Sequence, residues 1–482
     1  MGEHILKEQI KIIHEDSFAV EPSYDSSKVI VVDATDWTLS PDQGLITQET
    51  LTTAGITVAL PGRYALTGST TIPARMSQID RLNEIGFGYA VYKNVDVDTD
   101  GDGTTDYTMK ASVATPSQKL LPTWTAYHLY PEPEIVDVVT GTVFTNMRVE
   151  FSTDKVLTYN YDITSVKNEE RKATTAGWDS TTQPWAINEP MPIQDYVRAL
   201  DANLYADIKV VKWDPLAATP DFVDNNGITY TPIDSDGDGY YEKVQDPDGE
   251  YWTLIDAVPL QEDGVTPTTI FDEVYYLIGR KIHGVSTVKL DLKVENAGKD
   301  AYRLGSRFAN EYPIRKVIRQ DYSGSMTIDF ASTVSVDVDS IELYNLFING
   351  ARTEEVIKPT EAGIGKLSVV IKVGSAYDIK STAAQADQRV PSAFGFKETD
   401  PLMYYSDIST PNLGAPNRCM YILPNVILEK ADKKDSVGQL KTIDMTIRLL
   451  PDDELFKDYI VDDGSTTTSL ADLRAFTVSW LK

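Results

Sequence analysis

Cysteine is nearly absent from this chain of 482 residues: Cys419 stands alone, so neither an intrachain disulfide nor a cysteine-based zinc site can form. Histidine is scarce too. His4, His14, His128 and His283 show no H-E-x-x-H spacing, and lone histidines of this kind read as surface or packing residues. Neither a phosphate-cradling P-loop nor a G-x-S-x-G elbow occurs. No apolar run approaches the roughly 18 residues of a membrane-spanning helix, and the first residues lack the apolar core and cleavage site of a secretory leader. The expectation is a chain that stays in the cytoplasm where it is made. Positive charge is the scarce sign, with 44 Lys plus Arg against 73 Asp plus Glu and a formal net charge of −29. Such a surface repels phosphate backbones and excludes tight non-specific nucleic-acid binding, but it permits a protein that surrounds DNA without gripping it.

The carboxylates cannot nominate a glycosidase pair, because that pairing is spatial. Trp124, Trp178, Trp185, Trp213 and Trp252 could stack on sugars, yet aromatic residues serve core and interface packing more often. With these classes set aside, no enzymatic constellation remains, and the chain reads as a non-enzyme.

What is present is a duplication. Arg63-Tyr-Ala-Leu-Thr-Gly-Ser-Thr-Thr-Ile72 and Arg319-Gln-Asp-Tyr-Ser-Gly-Ser-Met-Thr-Ile328 share a strand-like stretch through Gly-Ser-x-Thr-Ile, each running into a helical pattern at 74–85 and 336–347. Branched strands precede both, at 29–32 and 288–294. A pair of long repeats suggests two similar domains fused in one chain and a pseudo-symmetric assembly. Elsewhere period-2 alternation dominates, as in Met147-Arg-Val-Glu-Phe-Ser152 and Lys289-Leu-Asp-Leu-Lys-Val-Glu295, which predicts sheets with one buried and one solvated face. A further helical pattern spans 193–206, with Ile193, Val197, Leu200 and Leu204 on one side. The expected fold is mainly β: a first β domain over 1–200 with an N-terminal arm, an inserted β-hairpin module at 214–270, and a second β domain over 271–482. Each β domain carries a packing helix, and the second carries a proline-rich loop at 383–416.

Two acidic loops share a pattern. Asp98, Asp100 and Asp102, and likewise Asp234, Asp236 and Asp238, occupy positions one, three and five, with glycine at six as in the first half of an EF-hand loop. The bidentate Glu of position twelve is missing, since Met109 and Gln245 stand there, and the flanks are strand-like. Two readings remain open. One is a structural Ca²⁺ held by Asp98, Asp100, Asp102 and Asp106, with a second held by Asp234, Asp236, Asp238 and Glu242; the other is a plain acidic turn that uses Asp-Gly for its positive φ.

The strand Gly62-Arg-Tyr-Ala-Leu-Thr-Gly-Ser-Thr-Thr-Ile-Pro73, with its helix ending Gly86-Phe-Gly88, resembles the tail tube (major tail) proteins of tailed bacteriophages. So do Tyr302-Arg-Leu-Gly-Ser-Arg307, Tyr322-Ser-Gly-Ser-Met-Thr-Ile-Asp-Phe330, Tyr421-Ile-Leu-Pro-Asn-Val-Ile-Leu428 and Thr442-Ile-Asp-Met-Thr-Ile447. The resemblance covers most of the chain apart from 214–270. It implies two tandem tail-tube-like β-barrel or sandwich domains in a virion tail protein, assembled in the host cytoplasm. Members with two fused copies form trimeric, pseudo-hexameric rings, and single-domain members form hexamers. Stacked rings conduct double-stranded DNA and meet tail terminator, baseplate or tip, and tape measure proteins. On the alternating strands, Asp291, Glu295 and Asp329 are the expected lumen-facing carboxylates, within a set that also holds Arg148, Glu150, Lys289, Lys293 and Thr327. The rival reading is a calcium-dependent carbohydrate-binding or adhesin-like β module, which would call for the secretion signal that the sequence lacks.

Overall fold

A computed structural model describes residues 9–23, 28–32, 34–49, 56–97, 107–117, 119–130, 135–153, 155–172, 196–198, 202–214, 221–233, 240–241, 243–262, 274–296, 308, 311–330, 337–349, 365–374, 396–397, 417–434, 441–452, 454–462 and 467–481. The fold is mainly β, and every pairing between its strands is antiparallel. The first part of the chain contributes β1 (Gln9–His14), β2 (Ile30–Val32), β3 (Asp36–Glu49), β4 (Ile56–Pro73), α1 (Ile79–Phe87), β5 (Gly88–Val97), β6 (Tyr107–Pro116), β7 (Trp124–Tyr130), β8 (Ile135–Ser152), β9 (Thr158–Ser165) and β10 (Lys167–Lys172). There follow β11 (Asn203–Asp214), β12 (Asp221–Asp224), β13 (Thr229–Ile233), β14 (Tyr240–Tyr241), β15 (Lys243–Gln245), β16 (Tyr251–Val258), β17 (Gln261–Glu262) and β18 (Val274–Lys281). The remainder is β19 (Val285–Asn296), α2 (Glu311–Arg315), β20 (Val317–Asp329), α3 (Ser340–Asn349), β21 (Lys366–Gly374), β22 (Phe396–Lys397), β23 (Arg418–Lys434), β24 (Thr442–Leu450), β25 (Tyr459–Asp462), β26 (Thr467–Ser469) and β27 (Phe476–Leu481).

One strand order occurs twice. In the first copy a front sheet runs β3-β4-β9-β8 and a back sheet runs β2-β1-β7-β8-β10. In the second copy the front sheet runs β19-β20-β24-β23 and the back sheet runs β18-β11-β21-β23-β27. The long strands β8 and β23 take the same place, each giving its first half to a back sheet and its second half to a front sheet. Each also carries a helix, α1 on β8 and α3 on β23. Because β8 pairs with β19, the two front sheets merge into one sheet of eight strands.

The correspondence holds residue by residue. Gly68 lies between Leu39 and Ile163, and Gly324 lies between Leu290 and Ile447. A Cβ at Gly68 would fall 1.7 Å from the Thr38 carbonyl oxygen, and one at Gly324 would fall 2.5 Å from that of Lys289. Only glycine lets the neighbouring strand come so close. Three residues further on, Thr71 Oγ1 donates to Asn160 Oδ1 at 2.6 Å and Thr327 Oγ1 donates to Asp444 Oδ1 at 2.9 Å. A bulge interrupts β8 between Phe144 and Asn146, and another interrupts β23 at the matching step between Leu428 and Lys430.

The strand order refines three expectations. Val29–Val32 is not the counterpart of the strand at 288–294: β3 corresponds to β19, while β2 corresponds to β18. β11 belongs to the strand order of the second copy, so the stretch from β12 to β17 interrupts that copy after its first strand rather than separating the copies. Strands β12, β13, β15 and β16 close with β11 and β18 into a ring of six. Finally, the helical pattern at 193–206 is not kept by its last residues, because 203–206 open β11. There the branched Ile208, Val210 and Val211 and the pairings to β18 and β21 outweigh a local periodicity of 3.6. Apart from 396–397, the loop at 383–416 lies outside the described residues.

A single core lies behind the eight-stranded sheet and draws on both copies, including Ile79, Leu82 and Ile85 of α1, Leu343 and Leu346 of α3, and Met147, Tyr159, Leu290, Met326 and Ile447 of the sheet. Gly86 brings α1 hard against Met147, and Gly88 at φ 89° ends the helix in the left-handed region. A second core fills the space around the ring, β5, β6, β27 and the first half of β23.

Candidate functional site: the polar face of the eight-stranded sheet

Alternation sends Leu290, Leu292 and Val294 of β19 into the core and leaves Lys289, Asp291, Lys293 and Glu295 on the opposite face. β20 does the same with Tyr322, Met326 and Ile328 inward and Asp321, Thr327 and Asp329 outward. Register then brings neighbours onto that face: Arg148 and Glu150 of β8, Asp162 of β9, Asp444 and Arg448 of β24. The three expected lumen carboxylates, Asp291, Glu295 and Asp329, thus share one face with the rest of their expected set. The charged residues described there are Asp36, Glu150, Asp162, Asp291, Glu295, Asp321, Asp329, Glu429, Asp432 and Asp444, against Arg148, Lys289, Lys293, Arg319, Lys430, Lys434 and Arg448. Among these described residues carboxylates outnumber cations by three.

Most of these charges are paired across or along strands. Where the copies meet, Lys289 faces Glu150 at 3.5 Å, and Arg148 reaches Asp162 at 3.0 Å and Asp291 at 3.8 Å. Lys293 meets Glu295 at 3.6 Å, Arg319 meets Asp321 at 3.2 Å and Arg448 meets Glu429 at 2.5 Å. Lys434 bonds Asp444, which raises the lysine pKa and, with the Thr327 hydroxyl, lowers that of the aspartate. Exposed pairs of this kind contribute ~0–1 kcal/mol each, so they organise the surface more than they stabilise it. Asp36 and Asp329 have no ion-pair partner among the described residues. Neutralised in pairs and carrying a small negative excess, the face offers a phosphate backbone no continuous positive track.

Both acidic loops, with Asp98, Asp100, Asp102, Asp106, Asp234, Asp236, Asp238 and Glu242, lie outside the described residues. Their flanks are hairpin strands: Val97 pairs with Tyr107 and Ile233 pairs with Lys243. Among the described residues no group of three metal-ligating side chains converges. Trp124 and Trp252 are buried, so these two pack rather than present a sugar-stacking face. The described histidines make local contacts: His14 edge-on to Trp124, His128 against Tyr130, and His283 Nε2 at 2.6 Å from Asp337.

Two buried polar groups behind the face carried no sequence signal. Asp256 of β16 accepts from Arg418 Nε of β23 at 2.7 Å and from Lys372 Nζ of β21 at 2.9 Å, with all three side chains wholly buried. Its other oxygen accepts the Ala257 N–H at 2.8 Å, and Arg418 lies over the Trp480 ring. Burial pushes the Lys372 ammonium down to about 7. Sealed from water, this triad fixes the ring of strands to the second copy. Nearby, Tyr159 donates to Asn83 of α1 at 2.9 Å and shares a hydroxyl contact with Tyr421, while Asn83 donates to Cys419 Sγ at 3.4 Å. This network ties the first copy to the second, and burial pushes the Cys419 thiol up to about 12. Neither a protein-family profile nor a curated protein sequence matches the chain.

Proposed function

We propose that this chain is a structural protein of a tailed-phage virion, a tail tube protein whose copies build stacked rings that conduct double-stranded DNA without specific binding. One observation carries the reading. Two copies of one strand order merge into a single antiparallel sheet whose apolar side is covered and whose polar side is open, with paired charges and a slight negative excess. Rings of three chains would place six quasi-equivalent copies around a lumen. The role is architectural rather than catalytic, and its partners are further copies of the chain and the terminator, tip and tape measure proteins of a tail. Calcium in the two acidic loops belongs to the same proposal as a local brace for hairpins. No helix among the described residues is long and apolar enough to cross a membrane.

Negative-stain images of the purified protein test the reading, with rings or tubes expected and monodisperse particles counting against it. Image reconstruction without imposed symmetry then separates three chains per ring from six. Replacing Asp291, Glu295 and Asp329 together by Lys should leave tubes assembled and slow DNA ejection. The delay should shrink as salt rises, because screening over ~8 Å weakens phosphate attraction. Unchanged ejection from intact tubes would remove these residues from the lumen.

A further inference from the structure

The two copies differ in what meets the free edge of their long strand. In the first copy, β8 leaves β7 after Thr142, and its continuing edge over 146–152 is taken by β19 of the second copy. In the second copy, β23 leaves β21 after Ile427, and among the described residues its edge over 428–434 pairs with nothing. β3, the counterpart of β19, pairs only with β4, so its other edge is also open among the described residues. The chain therefore ends one side of its front sheet on the donor half of a joint and the other side on the acceptor half, and it has already made that joint once internally.

We infer that β3 of one chain pairs with the second half of β23 of another, antiparallel, in the register of the internal β8–β19 joint. Eight alternating strands make the parity right, because the last strand of one chain and the first of the next run in opposite directions. Internally, Lys289 stands opposite Glu150, Asp291 opposite Arg148 and Lys293 opposite Asn146. The shared glycine positions and the shared bulge translate these pairs into Thr38 opposite Lys434, Ser40 opposite Asp432, and Asp42 opposite Lys430. Thr38 and Lys434 both belong to the polar face, so that face continues unbroken across the joint. Lys434 on one edge meets Thr38, flanked by Asp36, on the other, which sets a carboxylate diagonal to the lysine. Unequal edges joined head to tail leave each added chain with a free edge until a ring closes. The ring reading enters only at that closure; the seam itself follows from the repeat.

Disulfide trapping tests the seam in the full-length protein. Directly opposed residues of antiparallel strands lie about 4.5–5.5 Å apart at Cα, within disulfide reach. The native Cys419 is buried and its thiol is pushed up to about 12, so it stays silent. Under copper–phenanthroline oxidation, Thr38→Cys combined with Lys434→Cys should give a covalent ladder of chains. Either substitution alone, or Thr38→Cys with the displaced Lys430→Cys, should not. Equal cross-linking by the single variants, or a stronger ladder from the displaced pair, overturns the register. No ladder from protein that images show as rings places the seam elsewhere and leaves the ring reading standing. Failure to associate at any concentration reached, by sedimentation, sinks both.

Discussion

The buried Lys372 makes a signed prediction about stability. Its pKa falls from 10.5 to about 7 on folding because burial withdraws the ammonium from water more than Asp256 restores it. Above about pH 7 the folded chain has released this proton while the unfolded chain still holds it. The unfolded state then binds more protons, and stability rises with pH. Taking ~1.4 kcal/mol per pKa unit, the rise between about pH 6 and about pH 9 amounts to roughly 2–3 kcal/mol from this residue alone. Lys11, lowered to about 8 by burial, adds a smaller rise of the same sign. Lys372→Met isolates the effect: it removes the titrating group while Asp256 keeps Arg418 and the Ala257 N–H. Urea midpoints measured on dilute, unassembled protein across that range should climb for the parent and climb much less for the variant. Parallel profiles for the two proteins, or a parent whose stability falls over this range, would refute the reasoning.

Three further outcomes are expected. Asp256→Asn removes the carboxylate that faces the two buried cations Arg418 and Lys372 and should lower stability by about 3–5 kcal/mol in the same urea assay, far more than Lys372→Met. Gly68→Val and Gly324→Val should each cost about 1–3 kcal/mol, or more if the backbone cannot yield, because each new side chain meets a carbonyl of the neighbouring strand. Melting curves that show one of them tolerated like a surface change would break the equivalence of the two positions. Titration calorimetry should find two Ca²⁺ bound per chain, with chelation loosening the hairpins but not the sheets; no heat of binding would leave both loops as plain acidic turns.

The sequence made the front sheet readable where strands alternate between a packed core and water, as in β19, β20, β9 and β24. It made β3 hard to read, because Pro41 and Gly44 break the pattern and few branched residues mark it. Such residues are tolerated at a sheet edge, which is where β3 lies. The opening residues of β11, 203–206, fit a helical stripe as well as a strand. Only pairings far along the chain, to β18 and β21, decide between them. The Gly-Ser-x-Thr-Ile signature located the duplication and fixed equivalent residues, yet nothing in the order of segments could reveal that the insert sits inside the second copy. For the polar face, Asp291, Glu295 and Asp329 were legible as outward strand positions. Which members of the set stand side by side was not legible, since Arg148 beside Asp291 is a matter of register between strands remote in sequence. The triad of Asp256, Lys372 and Arg418 was invisible for the same reason.

Among the described residues, three additions to the duplicated strand order attach behind the eight-stranded sheet. The β5–β6 hairpin joins β27, the ring of strands is built on β11 and β18, and β17, β25 and β26 form a small sheet that contributes Tyr459 and Val461 to the rear core. None of these additions pairs with the exposed stretches of the front strands. The rear elaborations can thereby be lengthened, exchanged or recharged without moving the front, whose spacing and registration are held by the duplicated glycines and bulges.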